Sequence, residues 1–206
     1  MLGRLECIAF FAFLQAFAEG MSEELFTLAS ETAKTFMARE SEILNLHSED
    51  VLFSEEIVDF QPTEMVTLVF QDPKSGTESK PQTVSFELND TSHGKRIRDL
   101  FKRIAEAKGP KETKYFFSPY PKRKMNAKRF RAFIKEGWAA FIKAPEFAHL
   151  AKKKITFHSF RSSGICELFH SGMQIDIIRL LARHAQWSTT FESYVKKSRR
   201  FTRCGC

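Results

Sequence analysis

The runs I-T-F-H-S-F-R-S-S-G (155–164) and L-L-A-R-H-A-Q-W-S-T-T-F-E-S-Y (180–194) place His158, Arg161, His184 and Tyr194 in the last quarter of the chain. A tyrosine just downstream of clustered arginine and histidine supplies what phosphodiester cleavage by a protein nucleophile requires. The phosphate needs cationic donors, the leaving oxygen needs a proton, and the phenol must attack from a fixed position. His158 and Arg161 are three apart, so on a helix they share a face and converge on one anion. Each member alone has an ordinary reading. An H-x-x-R spacing arises by chance in a chain with six His and 32 Lys plus Arg. A His after the apolar stretch 177–181 serves as a helix C-terminal cap. A lone Tyr is a core aromatic, and Thr189 with Thr190 is an N-cap cluster. The combination carries more than its parts.

The composition is that of a folded chain: 206 residues, 43% hydrophobic and 28% charged, enough for one sizeable core. A net charge of +7 favours a polyanionic partner. Phe occurs 22 times and Tyr only three times, which makes Tyr194 easy to single out. Cys7, Cys166, Cys204 and Cys206 are not spaced as a disulfide framework, which reads as a reduced, intracellular protein. The opening run L-E-C-I-A-F-F-A-F-L-Q-A-F-A (5–18) imitates a secretory signal, but Glu6 interrupts the entry to it. We read it as a buried helix of the main domain. No run reaches the ~20 apolar residues that span a bilayer, so no membrane partner is expected.

Apolar spacing predicts helices over Leu5–Phe17 and Glu23–Phe36, the second capped at Ser22, and a helical turn over Arg39–Leu46. Strand composition marks Val51–Phe53, Met65–Phe70 and Thr83–Leu88, the last two a β-hairpin with a long polar tip. Glu49 and Asp50 read as a solvated turn. Further helices are predicted over His93–Ala107, Asn126–Lys143, Thr156–Gly172 and Ile175–His184, with a loop over Lys108–Lys124 and a last helix presenting Tyr194. The expectation is a single α+β domain, mainly helical, with a small antiparallel sheet.

The order H-S-F-R, S-G-M, R-H, T-T, Tyr194 resembles the C-terminal signature of the tyrosine recombinase (phage integrase) family. The stretch R-E-S-E-I-L-N-L-H-S-E-D-V-L-F (39–53) looks like that family's R-x-S-E-L-L-x-L-x-x-x-D-I box, with Arg39 its arginine and Glu42 its acidic residue. The resemblance implies a catalytic lysine on the hairpin. The tip P-K-S-G-T nominates Lys74, with Lys80 as second choice. It covers residues 25–198 of the 206, with 199–206 a tail. Three departures stand out. Arg183 replaces the usual glycine before His184, Tyr194 is about one residue further from His184 than is typical, and Ser54–Glu64 lengthens the gap between Arg39 and Lys74. Family members usually carry an N-terminal helical domain that clasps the far side of the DNA. With only about 38 residues before Arg39, that domain is expected to be missing here.

What the resemblance implies can be stated chemically. Arg39 and Arg161 would clamp the equatorial phosphate oxygens through forked donors. His158 and His184 would donate hydrogen bonds to the same oxygens or handle the phenol's proton. Lys74 would protonate the departing 5′-oxygen. A free phenol ionises near pH ~10, and flanking cations ease that ionisation for Tyr194. Attack would leave a 3′-phosphotyrosyl enzyme and a 5′-hydroxyl, with no metal and no cofactor. Basic runs at Lys122, Arg123 and Lys124, at Lys128, Arg129 and Arg131, and at Lys152, Lys153 and Lys154 suggest a track for double-stranded DNA. Each run alone is equally readable as a solvated helix face. The implied activity is site-specific recombination by a tetramer on DNA, in the nucleoid or cytoplasm, or the nucleus of a eukaryote. Two other readings compete: a decayed DNA-binding remnant of a mobile element, and a type IB topoisomerase-like nicking-closing enzyme.

Overall fold

The computed structural model describes residues 2–71, 81–109 and 112–184. Helix α1 (Arg4–Phe17) begins where the Glu6 carboxylate accepts the Gly3 N–H at 2.7 Å. It turns Cys7, Phe10, Phe11 and Leu14 inward, so the apolar run near the start of the chain is a core helix. The ring of Phe10 meets Trp138 edge-on and Phe141 at a tilt, both at 5.2 Å. These contacts explain the abundance of Phe: the core is built largely of its rings.

Helix α2 (Met21–Thr35) runs through the middle and packs against most of the other helices. Its cap is Gly20, whose carbonyl accepts the N–H groups of Glu23 and Glu24 at 2.9 and 3.0 Å. Ser22, the expected cap, lies inside the first turn. The buried hydroxyls of Ser30 and Thr32 donate to the carbonyls four residues back, each at 2.9 Å, so neither hydroxyl is stranded. Where α2 meets α6 (Phe157–His170), Gly164 allows the two backbones to touch: a Cβ there would collide with the Lys34 carbonyl.

The sheet is antiparallel in the order β1-β2-β3, formed by Val51–Val58, Gln61–Phe70 and Gln82–Glu87. Val66, Leu68 and Phe70 of β2 face the core, while Thr67 pairs with Ser85 on the other face at 2.7 Å. The β2–β3 hairpin is as expected. The first strand is longer than expected, and Ser54–Glu64 forms a second hairpin with Val58 opposite Gln61. Its two-residue turn, Asp59–Phe60, has φ of 49° and 61°, the geometry of a type I′ turn. Neither residue is the Gly or Asn that advertises such a turn, so the sequence does not announce it. Asp50 is buried rather than solvated, accepting from the His47 N–H and from Gln71 Nε2, each at 3.2 Å.

Helix α3 is Glu40–Asn45, α4 is Ser92–Lys108, α5 is Ala127–Phe141 and α7 is Ile175–Leu181. The whole is a mainly helical α+β fold with one small antiparallel sheet. Helices α3, α6 and α7 carry or flank the residues of interest; α2 lies beneath α3 and α6, and α7 packs on α6.

Candidate active site

The chain leaves α2 through Met37, whose left-handed backbone (φ 48°) reverses direction toward α3. Arg39 is the N-cap of α3, one position before the helix proper, and its N–H is accepted by the Glu42 carboxylate at 2.6 Å. That arrangement holds the Glu42 side chain beneath the helix start, where it is buried at 6% exposure. The same carboxylate then accepts from the Arg39 guanidinium at 2.5 Å and from Arg183 Nη2 at 2.7 Å, and stands 4.0 Å from Arg161 Nη1. Three guanidinium groups, from the start of α3, the end of α7 and α6, therefore share one carboxylate.

Arg161 is the largest side chain buried almost completely, at 2% exposure. It donates to the main-chain carbonyls of Met37 and Ala182, which ties α6 to the end of α2 and to the end of α7. His158 lies one turn earlier on α6 and is exposed. The pair thus occupies one face of the helix at two depths, the arginine beneath and the histidine at the surface.

His184 is placed by the way α7 ends. Arg183 has φ 55°, its N–H donates to the Leu180 carbonyl at 2.9 Å, and the His184 N–H donates to the Arg179 carbonyl at 3.0 Å. This is a Schellman ending, whose left-handed position normally takes glycine. A side chain at such a position costs about 1 kcal/mol. Here the side chain is held by Glu42, by the carbonyls of Phe36, Met37 and Leu181 at 3.3, 3.0 and 2.9 Å, and by the Phe70 ring 4.4 Å beneath it.

The electrostatics follow from these positions. Burial alone would raise the Glu42 carboxyl, but Arg183 and then Arg39 reverse that and hold it below its ordinary range. His184 is pushed down to about 4, first by burial and then by Arg161, Arg39, Arg183 and His158. The imidazole therefore sits in a positive potential created by the other members of the set and is neutral near pH 7. A cavity of about 950 Å³ opens elsewhere, between α2, β3 and α6, and none of these residues lines it. Among the described residues no group of three or more His, Cys, Asp or Glu could hold a metal ion, and no helix is long and apolar enough to cross a membrane.

Of the six residues singled out in the sequence, Arg39 and Arg161 meet at Glu42, and His184 lies within the electrostatic reach of both and of His158. Lys74, its alternative Lys80, Tyr194 and the tail 199–206 lie outside the described residues. Arg183 was visible in the sequence only as a departure from glycine. Its signal was a long side chain at a helix end that demands a left-handed backbone. Of the basic track, Lys122, Arg123, Lys124, Lys128, Lys152 and Lys154 are exposed. Arg129 is paired with Glu23 at 3.0 Å, Arg131 with Glu40 at 2.6 Å and Lys153 with Glu6 at 3.1 Å.

Solved structures share this fold at low sequence identity. The XerH site-specific recombinase bound to its difH substrate before cleavage superposes with a TM-score of 0.62 at 18% identity, over 92% of this chain and 48% of that one. The Tn1549 transposon integrase in complex with transposon right-end DNA gives 0.64 at 14% identity, over 94% and 60%. A Flpe variant in a Holliday junction complex gives 0.55 at 10% identity, over 95% and 48%. The chain thus spans about half the length of these proteins. A comparison with curated proteins found no match. The model of the phage integrase family matches residues 12–200, nearly the whole chain, and the chain belongs to that family.

Proposed function

We propose that this chain is the catalytic domain of a site-specific DNA recombinase, acting in integration, excision or transposition through a 3′-phosphotyrosyl intermediate. The observation that carries the reading is that Arg39 and Arg161 meet at Glu42 with His184 near both, where burial and then the arginines' positive charge push the imidazole down to about 4. A phosphodiester carries the charge that this potential favours, and an exposed backbone phosphate needs no enclosed pocket. The relatives of like fold were captured on their DNA substrates, which supports double-stranded DNA as the partner.

The division of labour follows from depth and charge. Arg161 is locked to backbone carbonyls and supplies a fixed charge beneath the phosphate, while Arg39 and His158 approach it from the surface. In the free protein His184 is neutral, so it acts as a hydrogen-bond donor to a phosphoryl oxygen rather than as a cation. Arrival of the phosphate's negative charge raises its basicity toward a value that can share the phenol's proton. The Tyr194 oxygen bonds to phosphorus as the bond to the 5′-oxygen breaks, and Lys74 gives that oxygen its proton. The ester energy is kept in the phosphotyrosine, so a second strand can be joined without ATP. The arginines take the role that a divalent ion fills in many nucleases. The protein works as a tetramer on DNA, inside the cell, with 199–206 a tail and no clasping domain within these 206 residues.

A pool of nicked duplexes with randomised sequence tests this, because each cleavage would release a short fragment and trap the enzyme. The expected result is a denaturant-resistant protein–DNA adduct that survives EDTA. Loss of the adduct in EDTA contradicts the metal-free chemistry. DNA binding without any adduct favours the remnant reading, and relaxation of supercoiled plasmid without sequence preference favours the topoisomerase reading.

A further inference from the structure

We propose that Arg183 is a positioning residue of this site, keeping Arg39 held end-on by Glu42 so that its guanidinium remains open to an anion. The proposal rests on the phosphate-site reading and adds to it a residue that the family's usual glycine cannot replace. Arg183 and Arg39 compete for one carboxylate. Arg183 takes Oε2 through Nη2 at 2.7 Å and reaches Oε1 through Nε at 3.4 Å, and Arg39 takes Oε1 through Nη1 at 2.5 Å. Arg39 Nη2 donates instead to the Arg183 carbonyl at 3.1 Å. Without the Arg183 side chain, both Glu42 oxygens lose its donors. The carboxylate can then receive Arg39 as a fork, the geometry that carboxylates and guanidinium groups prefer, while Oε2 still accepts the Arg39 N–H at 2.6 Å. Arg39 would then turn toward the interior, and its charge would be spent on Glu42. With Arg183 present, Arg39 makes no further side-chain hydrogen bond among the described residues and stays 39% exposed.

Arg183 can do this because it is itself fixed. Its guanidinium bonds Glu42 and three main-chain carbonyls and lies over Phe70, the last residue of β2 before the connection that holds Lys74. One side chain thus joins the ends of α2, α7 and β2 to the start of α3.

The test uses inorganic sulfate as the anion and reads its binding on the Nε–Hε signal of Arg39, assigned with Arg39→Lys. Two variants are compared with the parent. Arg183→Gly suits the left-handed backbone, and Arg183→Lys keeps the charge but cannot span Glu42 and the carbonyls as a planar fork. The expected result is that both variants weaken sulfate binding by about three- to tenfold, with an unchanged circular dichroism spectrum and an Arg39 signal shifted to that of a forked pair. Affinities within about twofold of the parent in both variants overturn the proposal, as does full recovery by lysine, which would leave charge alone as the cause. A parent chain whose Arg39 signal does not respond to sulfate removes the phosphate-site reading itself.

Discussion

The guanidinium of Arg39 donates to the main-chain carbonyl of Arg183 at 3.1 Å, across 144 positions of sequence. The next residue is His184, whose N–H closes the end of α7 on Arg179 at 3.0 Å. The relation of Arg39 to His184 is therefore fixed through backbone, by a helix ending rather than by flexible side chains. Arg161 reaches the same segment at Ala182. Arg39, Arg161 and His184 are thus registered on the backbone of three consecutive residues, 182–184.

Glu42 is the group on which this registration depends. Glu42→Ala leaves Arg183 buried beside Arg161 without its carboxylate, and breaking such a buried pair costs about 3 kcal/mol. Urea unfolding at pH 7 measures it. Because the folded carboxyl is held below its ordinary value, its contribution is present above the unfolded pKa and is lost as pH falls through the folded one. Glu42→Gln should flatten that acid limb.

His184 gives a second and separate pH dependence. Its folded value of about 4 lies below the ~6.5 of an unfolded histidine. Between these values the unfolded chain binds the extra proton, so stability falls as pH drops from about 6.5 to about 4 and then stops responding. The His184→Gln chain should lose this slope. Sulfate or DNA, by offsetting the surrounding cations, should raise the imidazole's titration point in a proton NMR titration.

Packing beneath the site predicts an asymmetry between two glycines. A Cβ at Gly164 meets the Lys34 carbonyl, which is helix backbone and cannot yield without moving α2 against α6. A Cβ at Gly137 meets the Leu14 side chain, which can change rotamer. Gly164→Ala should cost about 2 kcal/mol and Gly137→Ala under about 1 kcal/mol, measured by thermal or urea unfolding. Because α6 carries His158 and Arg161, only the first should also weaken DNA binding.

The basic track divides by prior commitment. Lys122, Lys124, Lys128 and Lys154 are exposed and make no ion pair among the described residues. Replacing one of them that touches a phosphate should lower the slope of log K against log salt by about 1. Arg129 and Arg131 must first leave Glu23 and Glu40, so Ala at either should change the slope less. Fluorescence anisotropy of a labelled duplex over a salt series measures both.

Much of this was legible in the sequence because it rests on local rules. The 3.6-residue spacing of Ile97, Leu100, Phe101 and Ile104 marked α4, and R-x-S-E marked the Arg39–Glu42 pair as neighbours on one helix start. The Asp59–Phe60 hairpin was not legible, since its left-handed turn is imposed by the pairing of β1 with β2 and not by Gly or Asn. Nor was the role of Arg183. Sequence shows that glycine is replaced, but only the fold brings Glu42, Phe70 and the α2 carbonyls to the new side chain. Asp50 misled for a similar reason: its partner Gln71 is brought beside it only by the pairing of β1 with β2.

The central claim is that the Arg39–Arg161–His184 cluster serves a tyrosine nucleophile at position 194. Mass spectrometry of the proteolysed protein–DNA adduct tests it most directly. The account predicts a nucleotide on the peptide containing Tyr194, linked through its phenolic oxygen, and no adduct in Tyr194→Phe. A nucleotide on any other residue, or an adduct that persists in Tyr194→Phe, would contradict it.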